Sequence, residues 1–118
     1  IASQGGRKPQ GPRVGLGRQI MPYLVSKAAV IQWTHLLAQD LGRHNINVNC
    51  VCPGIILTDM GRVNLDDPAV REAWQEKTAM ARIGAPEDVV GPVAFFASDD
   101  AGFVTGQTLN VDGGIVFS

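Results

Sequence analysis

At 118 residues, with 45% apolar and 18% charged side chains, the chain has the make-up of one folded domain, which excludes a disordered tail. No apolar run approaches membrane-spanning length, and no basic-then-apolar signal opens the sequence, so neither a membrane role nor secretion is expected. The formal charge of −1 is unevenly spread: Arg7, Lys8, Arg13, Arg18 and Lys27 all precede the first acid, Asp40. That basic, glycine-rich opening lacks interleaved aromatics, so it reads as solvated loop and not as a nucleic-acid surface.

In chain order, Ile1 to Ser3 reads as the end of a strand entered part-way, and the missing initial Met marks the chain as a piece of something longer. Gln4 to Met21 is expected to be loop, with glycines at 5, 6, 11, 15 and 17 and prolines at 9 and 12. From Tyr23 to Leu41 the apolar spacing suits a long helix, with Pro22 in its first turn and Gly42 as its stop. Apolar residues wrap more than one face, so this helix is expected to be buried on at least two sides. Ile46 to Cys52 (INVNCVC) alternates and is β-branched, the pattern of a strand, and Pro53-Gly54 ends it.

A loop through Thr58 and Gly61 follows. Asp67 then caps a helix that has Pro68 at its first position and runs to about Ala81. Gly84 breaks the chain, and Pro86-Glu87-Asp88 opens another helix through about Ala97, its acids suiting the helix dipole. Gln107 to Val111 is the last strand, closed by the turn Asp112-Gly113-Gly114. Strand, helix, strand, helices, strand is the grammar of a parallel α/β sheet.

Tyr23 is the sole tyrosine, and Lys27 lies four residues on. On a helix that spacing stacks the two side chains on one face. A free phenol has a pKa near ~10, too high for a good base at neutral pH. A nearby ammonium favours the phenolate, since two charges about 4 Å apart interact by roughly 4 kcal/mol at an effective dielectric near 20. The pair is thus either two ordinary surface residues or an acid/base with the group that tunes it.

Around that pair the sequence resembles the short-chain dehydrogenase/reductase family, in the C-terminal half of its classical members. YLVSKAAV is similar to the family's active-site helix, and NINVNCVCPGIILTDM to the next strand and its Pro-Gly turn. RIGAPEDVVGPVAFFAS and TGQTLNVDGG resemble the last helix and strand. The resemblance implies the C-terminal part of a Rossmann-type doubly wound parallel sheet, with residues 1–118 forming the catalytic half of a single domain. It further implies NAD or NADP as cofactor and hydride transfer between an alcohol and a ketone. Tyr23 would be the acid/base, Lys27 would lower its pKa and bond the ribose, and Ser3 would hold the substrate oxygen. Pro53, Gly54, Ile56 (through its backbone) and Thr58 would border the nicotinamide.

Two departures stand out. Ser3 and Tyr23 are separated by an enlarged loop, longer than the family's spacing of about a dozen residues; its Arg13 and Arg18 could meet an anionic substrate. The family's glycine-rich phosphate loop would lie ahead of Ile1, so the 118-residue chain alone is expected neither to hold a dinucleotide well nor to turn over.

Plainer readings stand beside these. Thr58 reads equally as a helix cap, and Met60, Val63 and Leu65 either line a substrate pocket or pack in the core. His35 and His44 lack a partner at metal spacing, so no metal site is expected. Trp33 and Trp74 read as packing or interface residues. Cys50 and Cys52 share one side of a strand as small buried thiols, which suits a reducing cytoplasm. The resemblance implies a homodimer or homotetramer built through helix 23–41, with the last helix and strand near another interface. The competing expectation is a non-catalytic binding or assembly module of the same fold.

Overall fold

A computed structural model describes residues 1–8, 20–60 and 65–117. Its elements are α1 (Met21–Leu41), β1 (Cys50–Pro53), α2 (Pro68–Lys77), α3 (Pro86–Phe96) and β2 (Thr108–Val111). Strands β1 and β2 pair in parallel, with Cys50 opposite Thr108 and Pro53 opposite Val111. Helices α2 and α3 lie in the connection between them, as a parallel crossover requires. The expected α/β grammar is present.

The first segment is a partial strand. Ser3 is extended, and Ala2 N donates to Val51 O at 2.9 Å, but no ladder continues. The chain turns away at once into a short 3-10 turn over Gln4–Gly6, where a loop was expected. Arg7 then reaches across the sheet, its Nη1 donating to Thr108 O (2.9 Å) and Asn110 Oδ1 (3.0 Å). The rest of the expected loop, with Arg13 and Arg18, lies outside the described residues apart from its last two.

Helix α1 runs from Met21 to Leu41 and is capped by Gly42, the stop expected from the sequence. The chain then tightens into a 3-10 turn over Gly42–His44, and Asn45 ends it in the left-handed conformation at φ 59°. Asparagine tolerates that region at little cost, so it closes the 3-10 turn. The helix is also barer than its apolar wrapping predicts. Only Thr34 and Ala38 are buried, while Val25 and Trp33 are 68% and 66% exposed. One side meets the Gln4–Gly6 turn and the sheet, where Ile31 packs on Ala2, Cys50 and Cys52. The second cover is not found among the described residues.

The strand expected over Ile46–Cys52 is narrowed to Cys50–Pro53. Its first half is held mainly by side chains, with one backbone bond from Gly106 N to Val48 O at 2.8 Å. Asn47 Nδ2 donates to Ala101 O (3.0 Å) and Asn49 Nδ2 to Val104 O (2.7 Å). Val48 N meets Thr105 Oγ1 at 3.0 Å, and Asn49 Oδ1 accepts from Gln107 N at 3.0 Å. These side-chain bonds reach residues more than fifty positions away, which periodicity alone cannot reveal.

Asp67 caps α2 as expected, its Oδ1 accepting from Ala69 N at 2.9 Å. The helix stops at Lys77, short of Ala81, because Thr78 is extended and Ala81 has φ 51°. Thr78 Oγ1 closes the end by donating to Trp74 O at 2.8 Å. At the start of α3, Asp88 Oδ2 accepts from Ala85 N at 2.7 Å, and its carboxylate takes both Nη groups of Arg82 at 2.7 and 2.8 Å. After β2, the nearly buried Asp112 accepts from Gly114 N and Val116 N, across glycines at φ 64° and 85°. This is the closing turn read from Asp112-Gly113-Gly114, and only glycine adopts such angles freely.

Cys50 and Cys52 are free thiols on one side of β1 with 2% and 0% exposure. Burial pushes the Cys52 thiol up to about 11 from an ordinary 9.0, with Cys50 adding to the shift and Arg7 opposing it. Between those two values the unfolded chain loses its proton first, so stability falls as pH rises through that window. The urea midpoint should decline there in the native sequence and decline less in Cys52→Ala. The Arg82 guanidinium, with the Ala85 amide, holds the Asp88 carboxyl well below its usual range. Its contribution is therefore complete at neutral pH and is lost as pH falls below the ordinary carboxylate value. Asp88→Asn should lower the melting temperature at pH 7 and make less difference in acid.

Candidate active site

Tyr23 occupies the first turn of α1 and is 41% exposed, as a group that meets substrate must be. Lys27, one turn on, places Nζ 5.5 Å from the centre of the Tyr23 ring. The same Nζ donates to Ile1 O at 3.4 Å. A cation at that distance from a ring face is attracted by its quadrupole, so the two side chains are held together. Lys27 thus joins the helix to the segment that carries Ser3.

Ser3 is extended at φ −162° and caps the Gln4–Gly6 turn, its Oγ accepting from Gly5 N at 3.2 Å. A serine hydroxyl has one proton to give and two lone pairs. Accepting from Gly5 orients it and leaves that proton available to a substrate oxygen. The turn lies directly on α1. A Cβ at Gly5 would meet Leu24 Cδ2 at 2.5 Å, and one at Gly6 would stand 2.6 Å from Lys27 C and 2.7 Å from Ala28 N. Backbone packs on backbone here, and no residue larger than glycine fits at position 6.

The second group lies at the C-terminal end of β1. Gly54 N donates to Val111 O at 3.0 Å, and a Cβ on Gly54 would come within 2.7 Å of Asp112 Cα. Ile56 bridges to Gly84, and the two segments exchange Leu57 N to Gly84 O (2.8 Å) and Gly84 N to Ile55 O (3.0 Å). Thr58 follows on the surface, its N–H donating to Ile56 O at 2.9 Å. The turn is therefore rigid up to Thr58, the quality a cofactor-bordering loop needs.

Tyr23 and Lys27 stand together, with Lys27 reaching Ile1 O of the segment that carries Ser3, and Pro53 to Thr58 form a separate group. Ala2 N–Val51 O is the bond that joins their supports. An open groove of about 470 Å³ adjoins the second cluster, lined by Ile55, Ile56, Met80, Arg82, Gly84 and Asp112 among others. Ser3, Tyr23 and Lys27 do not line it. Its 79–84 wall was not singled out in sequence, because the positive φ of Ala81 that shapes it has no residue-type signal. Of the candidate pocket residues, Leu65 is core at 3% exposure and Met60 is 78% exposed, while Val63 lies outside the described residues. Trp74 is buried beneath Lys77, whereas Trp33 is exposed. His35 Nε2 pairs with Thr108 Oγ1 at 3.1 Å, and no metal-binding group of three side chains occurs among the described residues. No helix among them is long and apolar enough to cross a membrane.

A parallel strand pair joined by a helical crossover, with the long helix α1 ahead of it, defines the class: a Rossmann-type α/β fold. Comparison with known proteins agrees. The family profile described as Enoyl-(Acyl carrier protein) reductase matches residues 12–116. Over 93 residues the chain is 44% identical to Dehydrogenase/reductase SDR family member 4 of Bos taurus, covering 79% of this chain and 33% of that protein. It is 45% identical, again over 93 residues and 79% of its length, to 37% of L-rhamnose 1-dehydrogenase (NAD(P)(+)) from Sphingomonas sp. (strain SKA58). The structure matches gluconate 5-dehydrogenase from Burkholderia cenocepacia J2315, solved in complex with NADP and tartrate, with a TM-score of 0.88 at 32% identity. That match covers 98% of this chain and 42% of the other. The chain belongs to the short-chain dehydrogenase/reductase family. It spans about a third of the length of the curated relatives it matches.

The Gly6 contact is open to test in the full-length protein. Gly6→Ala should displace the Ser3 turn from α1 and lower kcat by roughly 10-fold to 100-fold, since small misplacements of reacting groups cost that much. A circular-dichroism melt should show that the variant remains folded.

Proposed function

We propose that residues 1–118 are the C-terminal catalytic half of an NAD- or NADP-dependent oxidoreductase that interconverts alcohols and ketones. The observation that carries this reading is the Tyr23–Lys27 pair, bolted through Ile1 O to the segment ending in Ser3. In the direction of oxidation, Tyr23 Oη accepts the proton of the substrate hydroxyl. Lys27, its Nζ 5.5 Å from the ring centre, holds the ring in place for that transfer. Ser3 Oγ donates to the same substrate oxygen and stabilises the charge that develops there. In reduction Tyr23 returns the proton. The nicotinamide, when bound, accepts or supplies the hydride.

The residues fit one end of such a cofactor. Gly54, pressed against Asp112, and the Ile56–Thr58 turn, bonded to Gly84, would offer a backbone edge to the nicotinamide, and Lys27 would bond the ribose. No glycine-rich dinucleotide-binding loop of the G-x-G-x-x-G kind occurs in the sequence. We therefore assign turnover to the full-length protein and not to the 118-residue chain. The exposed Val25, Trp33 and Leu36 of α1 support a homodimer or homotetramer built through that helix. Buried free thiols support a reducing, cytoplasmic setting.

The test is absorbance of NADH and NADPH against a panel of carbonyl compounds with the full-length protein. Tyr23→Phe should lower kcat by about 100-fold to 10,000-fold, the usual worth of a positioned acid/base. Undiminished turnover in that variant would overturn the mechanism. An inactive wild type that binds a protein partner would favour an assembly module.

A further inference from the structure

The turn that carries Ser3 is one bonded unit. Gly6 N donates to Ser3 O at 3.0 Å, Gly5 N to Ser3 Oγ at 3.2 Å, and Arg7 N to Gln4 O at 3.0 Å. Such a unit moves as a whole, so the aim of the serine hydroxyl is set by whatever fixes its two ends. The entry is fixed by main chain, through Ala2 N and Val51 O of β1. The exit is fixed by a side chain: Arg7 Nη1 donates to Thr108 O at 2.9 Å and to Asn110 Oδ1 at 3.0 Å on β2. Contact of Gly5 and Gly6 with α1 stops the turn from closing on the helix, but steric repulsion does not stop it from lifting away.

Asn110 is set to receive that guanidinium. Its Nδ2 donates to Val116 O at 2.9 Å, which leaves Oδ1 turned to Arg7 as an acceptor. In the parallel register Asn110 stands opposite Cys52, which is 0% exposed. Burial and Cys50 push the Cys52 thiol up, while the Arg7 charge and a main-chain hydrogen bond from Ser3 oppose them. Serine and guanidinium therefore lie close to one buried thiol, on one face of the sheet.

We propose that Arg7, received by Asn110, is a positioning residue for the reaction: it holds the exit of the turn that aims Ser3 Oγ at the substrate oxygen. The assignment rests on the oxidoreductase reading above. Arg7 itself touches neither substrate nor cofactor and moves no proton. Its effect on the rate passes through Ser3.

The experiment uses the full-length protein and a carbonyl compound that it reduces. A double-mutant cycle combines Arg7→Met with Ser3→Ala, read in single-turnover hydride transfer so that slow variants stay measurable. Methionine keeps an apolar stem and removes the donors. Arg7→Met is expected to lower the rate by about 10-fold when Ser3 is present, because small misplacements of a reacting group cost that much. In the Ser3→Ala background the same change should cost less than about two-fold. A residue that merely supports the fold would slow both backgrounds alike. That result overturns the proposal, as does an undiminished rate in Arg7→Met.

Asn110 gives an independent arm, which also serves where Arg7→Met fails to fold. Asn110→Asp and Asn110→Leu both lose the bond to Val116 O, but only the aspartate still accepts from Arg7. Asn110→Leu should be about 10-fold slower than Asn110→Asp, and equal rates would count against the assignment. A wild type inactive on every carbonyl compound would sink the oxidoreductase reading itself. Full activity in Ser3→Ala removes Ser3 and Arg7 together, whereas an Arg7→Met loss that ignores Ser3 removes only Arg7.

Discussion

The site depends on a backbone-to-backbone contact that only glycine permits. Gly6 lies so close to Lys27 and Ala28 that a Cβ would stand 2.6 Å from a main-chain carbon. Because neither backbone can yield cheaply, the turn after Ser3 and the first turns of α1 keep a fixed separation. Ser3 gains its orientation from Gly5 N in that turn, and Lys27 ties back to Ile1 O on the other side. The serine and the tyrosine belong to segments joined by residues outside the described ones. Their relation rests on this contact and not on the length of the loop between them.

The sheet provides the second anchor. Ala2 bonds to Val51, and the small residues Ala2, Cys50 and Cys52 fill the space beneath Ile31 of α1. Small side chains bring the helix close to the strand, while Arg7 stitches the opening segment to β2. At the far end of β1, Gly54 meets Asp112 and the Ile56 turn is pinned to Gly84. Two rigid edges thus flank the end of one strand, which is where α/β folds place their ligands. The bare face of α1, with Val25, Trp33 and Leu36 in solvent, belongs to the same design, since a helix apolar all round calls for more than one neighbour.

Much of this was legible in the residue order. Tyr23 and Lys27 share a helix face because helical spacing demands it, Asp67 caps because its carboxylate is at the right offset, and Asp112-Gly113-Gly114 turns because glycine tolerates positive φ. The misreadings have a common cause. Ile46 to Asn49 looked like strand by alternation, yet its asparagines bond to the 101–104 backbone, distant in sequence. Ala81 looked like helix, yet it is left-handed and lies past the end of α2 at Lys77. Each error was a local pattern overruled by a partner elsewhere in the chain.

The sequence by itself determined the chemistry on offer: one phenol with an ammonium a turn away, a serine at a strand end, a Pro-Gly turn, and two thiols on one side of a strand. These follow from residue type and short-range spacing, which the helix and strand periods convert directly into faces. Only the tertiary structure decided that the Ser3 turn packs on α1, that Ile1 O receives Lys27, and that Arg7 crosses the sheet to Asn110. Those facts depend on which distant backbones approach closely enough to exclude a side chain or water, and no local periodicity encodes that distance.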